Sequence, residues 1–167
     1  YKIAKNGHEL VFGAGANGLM GAAARSFTRA GARITGVIPH FFKTDTVEPI
    51  YDKCDELIFT DTMRERKQIM EERSQAFIML PGGIGTFEEF FEILTLKQLC
   101  RHNKPIAIYN VMNYYDGLNE VIKQAMQKKF IRENCNSLFV TTDNLDELFD
   151  YIEAPVDNTL TVKQLKD

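Results

Sequence analysis

The chain has 167 residues, enough for a sizeable buried core, and its formal net charge of −3 argues against a nucleic-acid surface, which is normally basic. Three cysteines, Cys54, Cys100 and Cys135, lie far apart without CxxC spacing, which excludes a disulfide framework or a zinc site and suits reduced thiols. No apolar run approaches the ~18 residues of a membrane span and no signal-peptide pattern is seen, so the expectation is a cytoplasmic protein without a membrane partner.

Tyr1 to Gly7 reads as the last turn of a helix with Gly7 near its C-cap. Short apolar runs then alternate with longer helical patterns. Strands are expected at 9–12, 33–38, 56–60, 76–80, 105–110 and 138–141, and helices at 19–30, 63–74, 86–101, 114–129 and 144–152. The strands are β-branched and aromatic with little polar alternation, as where both sheet faces are covered. This order implies one Rossmann-like α/β domain over 1–167, a doubly wound parallel sheet flanked by helices, with its ligand crevice at the carboxyl ends of the strands. Residues 41–55 read as a loop over the mouth of that crevice, and 155–167 as a polar tail, either a docked or a frayed helix.

Gly13-Ala14-Gly15-Ala16-Asn17-Gly18 lies between the first strand and a helix, the right context for a GxGxxG loop. A dinucleotide site wants an acid roughly 20 positions on for the adenosine ribose. The next strand instead ends Val37-Ile38-Pro39-His40, and the nearest acid is Asp45, which weakens an NAD reading. A tight turn that needs glycine for packing alone competes. The preferred reading is a loop lining a mononucleotide pocket, with Gly15 and Gly18 allowing close backbone approach. Met20 is grouped with them, although filling the core is its default role.

On the helix expected at 63–74, Thr62 and Glu65 have capping-box spacing. Met63, Arg66, Lys67 and Met70 share one face, while Arg64, Glu65, Gln68, Glu71 and Glu72 make the opposite face polar. Two cations therefore stand where a core stripe would be apolar. Buried unpaired they would be very costly, so they need an anion, a carboxylate of the chain or a ligand. The plainer alternative is a pair that covers apolar surface with its stems and keeps its heads in water.

The apolar run at 76–80 leads into Pro81-Gly82-Gly83-Ile84-Gly85-Thr86-Phe87-Glu88-Glu89. Its glycines permit close approach, and the helix start offers free N–H groups and positive dipole charge, a combination suited to phosphate. Thr86 adds a hydroxyl, and Glu88 and Glu89 bring carboxylates beside the anion site. Further along, Phe87, Phe90, Phe91 and Leu94 form a stripe for the sheet. Glu89, Ile93, Leu96 and Cys100 form a second line, which suggests burial by another subunit in a homodimer, although a neighbouring helix could do the same.

This glycine motif, preceded by Met63-Arg64-Glu65-Arg66-Lys67, resembles the LOG ("Lonely guy") family, and Gly18-Leu19-Met20-Gly21 and Gly36-Val37-Ile38-Pro39 resemble its earlier landmarks. The likeness runs from about residue 10 to residue 149. Members are nucleoside 5'-monophosphate phosphoribohydrolases, best known for releasing cytokinin bases and often labelled lysine decarboxylases. The family also starts with a further strand and glycine/serine-rich turn, a unit missing here, so the sequence reads as a fragment. By the resemblance Arg66 and Glu89 are catalytic. Gly82, Gly83, Ile84, Gly85 and Thr86 hold the 5'-phosphate, Lys67 helps there, and Glu88 holds ribose hydroxyls. Gly15, Gly18 and Met20 line the substrate. No metal or cofactor is expected, and His8, His40 and His102 are scattered.

The expected reaction is hydrolysis of the N-ribosidic bond of a purine nucleoside 5'-monophosphate. A nucleotide or molybdenum-cofactor carrier is the first alternative, because the same glycines would serve it. An NAD(P) oxidoreductase lacks its ribose acid. A pyridoxal-phosphate lysine decarboxylase would have to use Lys67, which has no recognisable aldimine context. Whether the base is plain adenine or carries an isoprenoid stays open.

Overall fold

The computed structural model describes residues 1–44, 48–156 and 161–166. The chain divides into two compact units, Tyr1–Ser74 and Gln75–Asp167.

The first unit runs α1 (Lys2–Lys5), β1 (Leu10–Phe12), α2 (Gly18–Ala30), β2 (Ile34–Pro39), α3 (Phe41–Thr44), β3 (Glu56–Thr60) and α4 (Met63–Arg73). Its three strands form a parallel sheet in the order β1-β2-β3, with Leu10 opposite Ile34 and Thr35 opposite Glu56. All six residues of β2 are buried, which is why that strand carries no polar alternation. Phe12, Ala24, Phe27, Ile34, Ile38 and Tyr51 form the core.

The entry to β3 is fastened to the start of β2 by Asp55, whose carboxylate accepts from the Ile34 amide at 2.8 Å. The stretch read as one loop over the crevice is more ordered than that. It opens with α3, and its later part pairs with the first glycine loop: Ala16 N–H donates to Pro49 O and Tyr51 N–H to Ala14 O, both at 2.8 Å. Asp45, the acid nearest to the dinucleotide position, lies outside the described residues.

The second unit runs β4 (Phe77–Met79), α5 (Ile84–Gln98), β5 (Ile106–Tyr109), α6 (Asp116–Gln127), β6 (Val140–Thr142), α7 (Leu145–Glu153) and α8 (Val162–Lys166). Again the sheet is parallel, in the order β4-β5-β6, with Phe77 opposite Ile106 and Ala107 opposite Val140. Met79, Phe90, Ile106, Ile108 and Tyr115 form its core. Of the polar tail, α8 is docked: Leu165 is buried with Cys135 and Leu138, and Gln98 donates to its carbonyl at 3.2 Å.

Parallel strands joined through helices make this the Rossmann-like α/β fold that the strand–helix alternation implies. Its hydrogen-bonded ladders are two three-stranded sheets, one in each unit. Among the described residues no helix is long and apolar enough to cross a membrane.

Candidate active site

In the second unit β4 gives way to Leu80-Pro81-Gly82-Gly83, and α5 starts at Ile84 with Gly83 as N-cap. No side chain caps this start. The first amides of a helix have no acceptor within it, so those of Ile84 and Gly85 are left for something outside the helix. Thr86 and Phe87 turn their N–H groups back to Gly83 O, at 3.0 and 3.2 Å.

A Cβ built on Gly83 or Gly85 would meet nothing within 4 Å, so a ligand has room there. Gly82 is different. A Cβ there would collide with the Thr86 hydroxyl, so this glycine makes room for Thr86 rather than directly for a ligand. Glu88 is exposed and Glu89 half-buried, both in the second turn of α5. The loop is also held from the β5 side, which the sequence did not suggest: Tyr115 donates to Leu80 O at 2.6 Å and Tyr114 to Gly82 O at 2.8 Å.

In the first unit, α4 starts as its capping box predicts. Thr62 accepts from the Glu65 amide at 3.1 Å, and the Glu65 carboxylate reaches back to the Asp61 amide at 2.9 Å. Arg66 is 8% exposed, which rules out the solvated-head alternative for this residue. Its Nε donates to Val37 O at 3.1 Å, and its guanidinium fills the space that a side chain on Gly13 would need. Arg66 is thus held at the carboxyl ends of β1 and β2.

Lys67 and Met70 on the same helix are half-buried, and Met63 is 37% exposed. Gly15 brings Met20 and Glu48 together, since a Cβ there would overlap the Met20 methyl and sit 2.7 Å from a Glu48 carboxylate oxygen. Gly18 has φ +56 with open space around it, a backbone conformation that glycine adopts without strain. Glu48 is not legible in the sequence, because nothing local links it to a loop some thirty residues earlier.

Residues 20–152 match the family model described as "Possible lysine decarboxylase". A "Probable cytokinin riboside 5'-monophosphate phosphoribohydrolase" of Oryza sativa subsp. japonica is 36% identical over 155 residues, 93% of this chain and 72% of that protein. The cytokinin riboside 5'-monophosphate phosphoribohydrolase of Mycobacterium tuberculosis is 40% identical over 146 residues, 87% of this chain and 76% of that one. The chain belongs to the LOG family. Its fold is also that of the molybdenum cofactor binding protein of Rippkaea orientalis, at a TM-score of 0.62 and 20% identity over 92% of this chain and 82% of that one.

The LOG motif helix, α5, packs otherwise than its sequence suggests. Phe87, Phe90 and Leu94 do join the core, but Phe91 is 42% exposed, because the inward arc is set by positions 87, 90 and 94. Ile93, placed on the outer line, packs against the same core, while Leu96 is half-buried. Cys100 lies beyond the end of the helix, exposed, with φ +54. The inward arc continues to Lys97, which is 8% exposed and whose amine burial pushes down to about 8. Among the described residues no group of three His, Cys, Asp or Glu side chains is placed to hold a metal ion.

Proposed function

We propose that this LOG-family chain hydrolyses the N-ribosidic bond of a purine nucleoside 5'-monophosphate, AMP or a cytokinin riboside monophosphate, to the free base and ribose 5-phosphate. One observation carries the reading. An uncapped helix start with open glycines has a half-buried carboxylate, Glu89, in its second turn. An uncapped start suits an anion, whereas a carboxylate is of most use to a cation. A nucleotide whose glycosidic bond is breaking offers both.

The 5'-phosphate takes the amides of Gly83, Ile84 and Gly85 and the Thr86 hydroxyl, with Gly82 giving Thr86 its place and Lys67 adding charge. As the C1'–N bond lengthens, its electron pair leaves with the base and the sugar becomes cationic. Glu89 stabilises that cation or orients the water whose oxygen bonds to C1', and the proton this water gives up ends on the departing base. Arg66 assists departure of the base, Glu88 holds ribose hydroxyls, and Gly15, Gly18 and Met20 line the substrate. The names of the relatives at 36% and 40% identity support this reaction. We further propose that the protein is a cytoplasmic homodimer.

Incubation with AMP and measurement of free adenine tests the reaction. Adenosine should be a poor substrate, because losing the phosphate forfeits charge-assisted hydrogen bonds of about 1.5–3 kcal/mol each. Glu89→Gln should abolish base release while nucleotide binding stays within about tenfold, or roughly 1.4 kcal/mol. Near wild-type turnover in that variant would remove Glu89 from the mechanism.

A further inference from the structure

Two adjacent tyrosines have no part in the mechanism above, yet both hydroxyls end on the phosphate loop. They follow β5 through a turn whose shape is unusual. Met112 and Asn113 have φ +55 and +60, a left-handed conformation that residues with a Cβ rarely adopt. Backbone of this kind persists only where its surroundings hold it in place. Here the holder is Asn110, itself buried: its Oδ1 accepts from the Tyr115 amide at 2.7 Å, and its Nδ2 donates to Asp116 at 2.8 Å. The Asn113 amide closes the turn onto Asn110 O at 3.2 Å.

The product of that turn is a pair of aimed hydroxyls. Tyr115, 1% exposed and edge-on to Phe87, reaches Leu80 O at 2.6 Å. Tyr114, 52% exposed, reaches Gly82 O at 2.8 Å. Burial raises the Tyr115 phenol above its ordinary value, helped by Tyr114 and partly offset by the Gly82 amide, so it remains a donor.

The two carbonyls do different work. The peptide after Leu80 leads into Pro81 and has no N–H, so Tyr115 only anchors the exit from β4. The peptide after Gly82 carries the Gly83 amide. A trans peptide is planar, with its C=O and N–H pointing in opposite directions. A donor that fixes the Gly82 carbonyl therefore also fixes where Gly83 N–H points. Glycine on both sides of that peptide gives it little rotational restraint of its own.

We propose that Tyr114 is a positioning residue of the phosphate site: by holding the Gly82 carbonyl it aims the Gly83 amide at the 5'-phosphate, while Tyr115 anchors the loop behind it. This rests on the assignment of that loop to phosphate made above.

The test is calorimetric binding of ribose 5-phosphate and of adenosine to the whole chain, as wild type and as Tyr114→Phe. Phenylalanine keeps the ring against Tyr115, and a half-exposed side chain is not needed for folding, so the melting temperature should not move. Loss of one aimed amide should weaken ribose 5-phosphate about five- to tenfold and leave adenosine within about twofold. KM for AMP should rise by the same factor as ribose 5-phosphate weakens, with kcat unchanged.

Ribose 5-phosphate binding within about twofold of wild type in Tyr114→Phe, or an equal loss for adenosine, would overturn the proposal. So would a wild type that does not bind ribose 5-phosphate. A wild type that binds it but releases no adenine from AMP overturns the hydrolase reading alone, and the binding ratio still decides the role of Tyr114.

Discussion

Gly13 has no side chain because Arg66 occupies the place where one would go. That makes it a different kind of glycine from Gly18, which is needed for a positive φ in open space. The distinction yields a prediction. Gly13→Ala should push the guanidinium off its site and off Val37 O, and a misplacement on this scale lowers base release by up to about 10²-fold. Gly18→Ala should instead act through backbone strain and cost stability on the order of 1 kcal/mol. Steady-state base release together with melting temperatures separates the two. Comparable turnover in Gly13→Ala and wild type would mean that Arg66 does not need its present position. The sequence displayed both glycines in one GxGxxG pattern. What it hid was the partner, because Arg66 arrives from a helix some fifty residues later.

At the scale of elements, α5 shows where periodicity stops being informative. Its start was legible, because glycines before an apolar helical pattern have a local physical meaning. So were α4 and its Thr62–Glu65 cap, and the alternation of strands and helices that fixes the fold. The faces of α5 were not, since its apolar residues are too dense to mark one stripe and only packing decides between Phe91 and Ile93. Lys97 is hidden for the same reason: a lysine between Leu96 and Gln98 looks like solvent-facing charge, yet it continues the line of Phe90 and Leu94.

Its burial has a thermodynamic consequence. With its folded value pushed from 10.5 to about 8, the unfolded chain binds this proton more tightly than the folded one. Stability is therefore lowered below pH 8, rises between about 8 and 10.5, and is level above that. Lys97→Met should remove this cost. It should stabilise the protein at pH 7 by on the order of 1–3 kcal/mol, with the gain fading across the same window. Denaturant titrations at pH 7 and pH 10 measure it, and an equal gain at both would show that the proton is not the cause.

At the scale of the whole molecule, the proposed homodimer rests on α5 carrying more apolar side chains than its own core takes up. Glu89, Ile93, Leu96 and Cys100 do not form one outer line: Ile93 packs against the core and Cys100 is off the helix. Leu96, half-buried, and Phe91, 42% exposed, are what remains for a partner. The two lie ~140° apart around the helix, so they mark separate faces, and a twofold axis would bring whichever face is used against its copy or an adjoining surface. Phe91→Glu together with Leu96→Glu should then give monomers that keep the wild-type circular dichroism, since neither residue is needed by the core. Because both lie on the helix that carries Glu89, base release should weaken in the monomer if the partner helps to exclude water from the substrate. Light scattering at micromolar concentration decides the matter. A wild type that runs as a monomer, or a folded double variant that stays dimeric, would remove α5 as the interface.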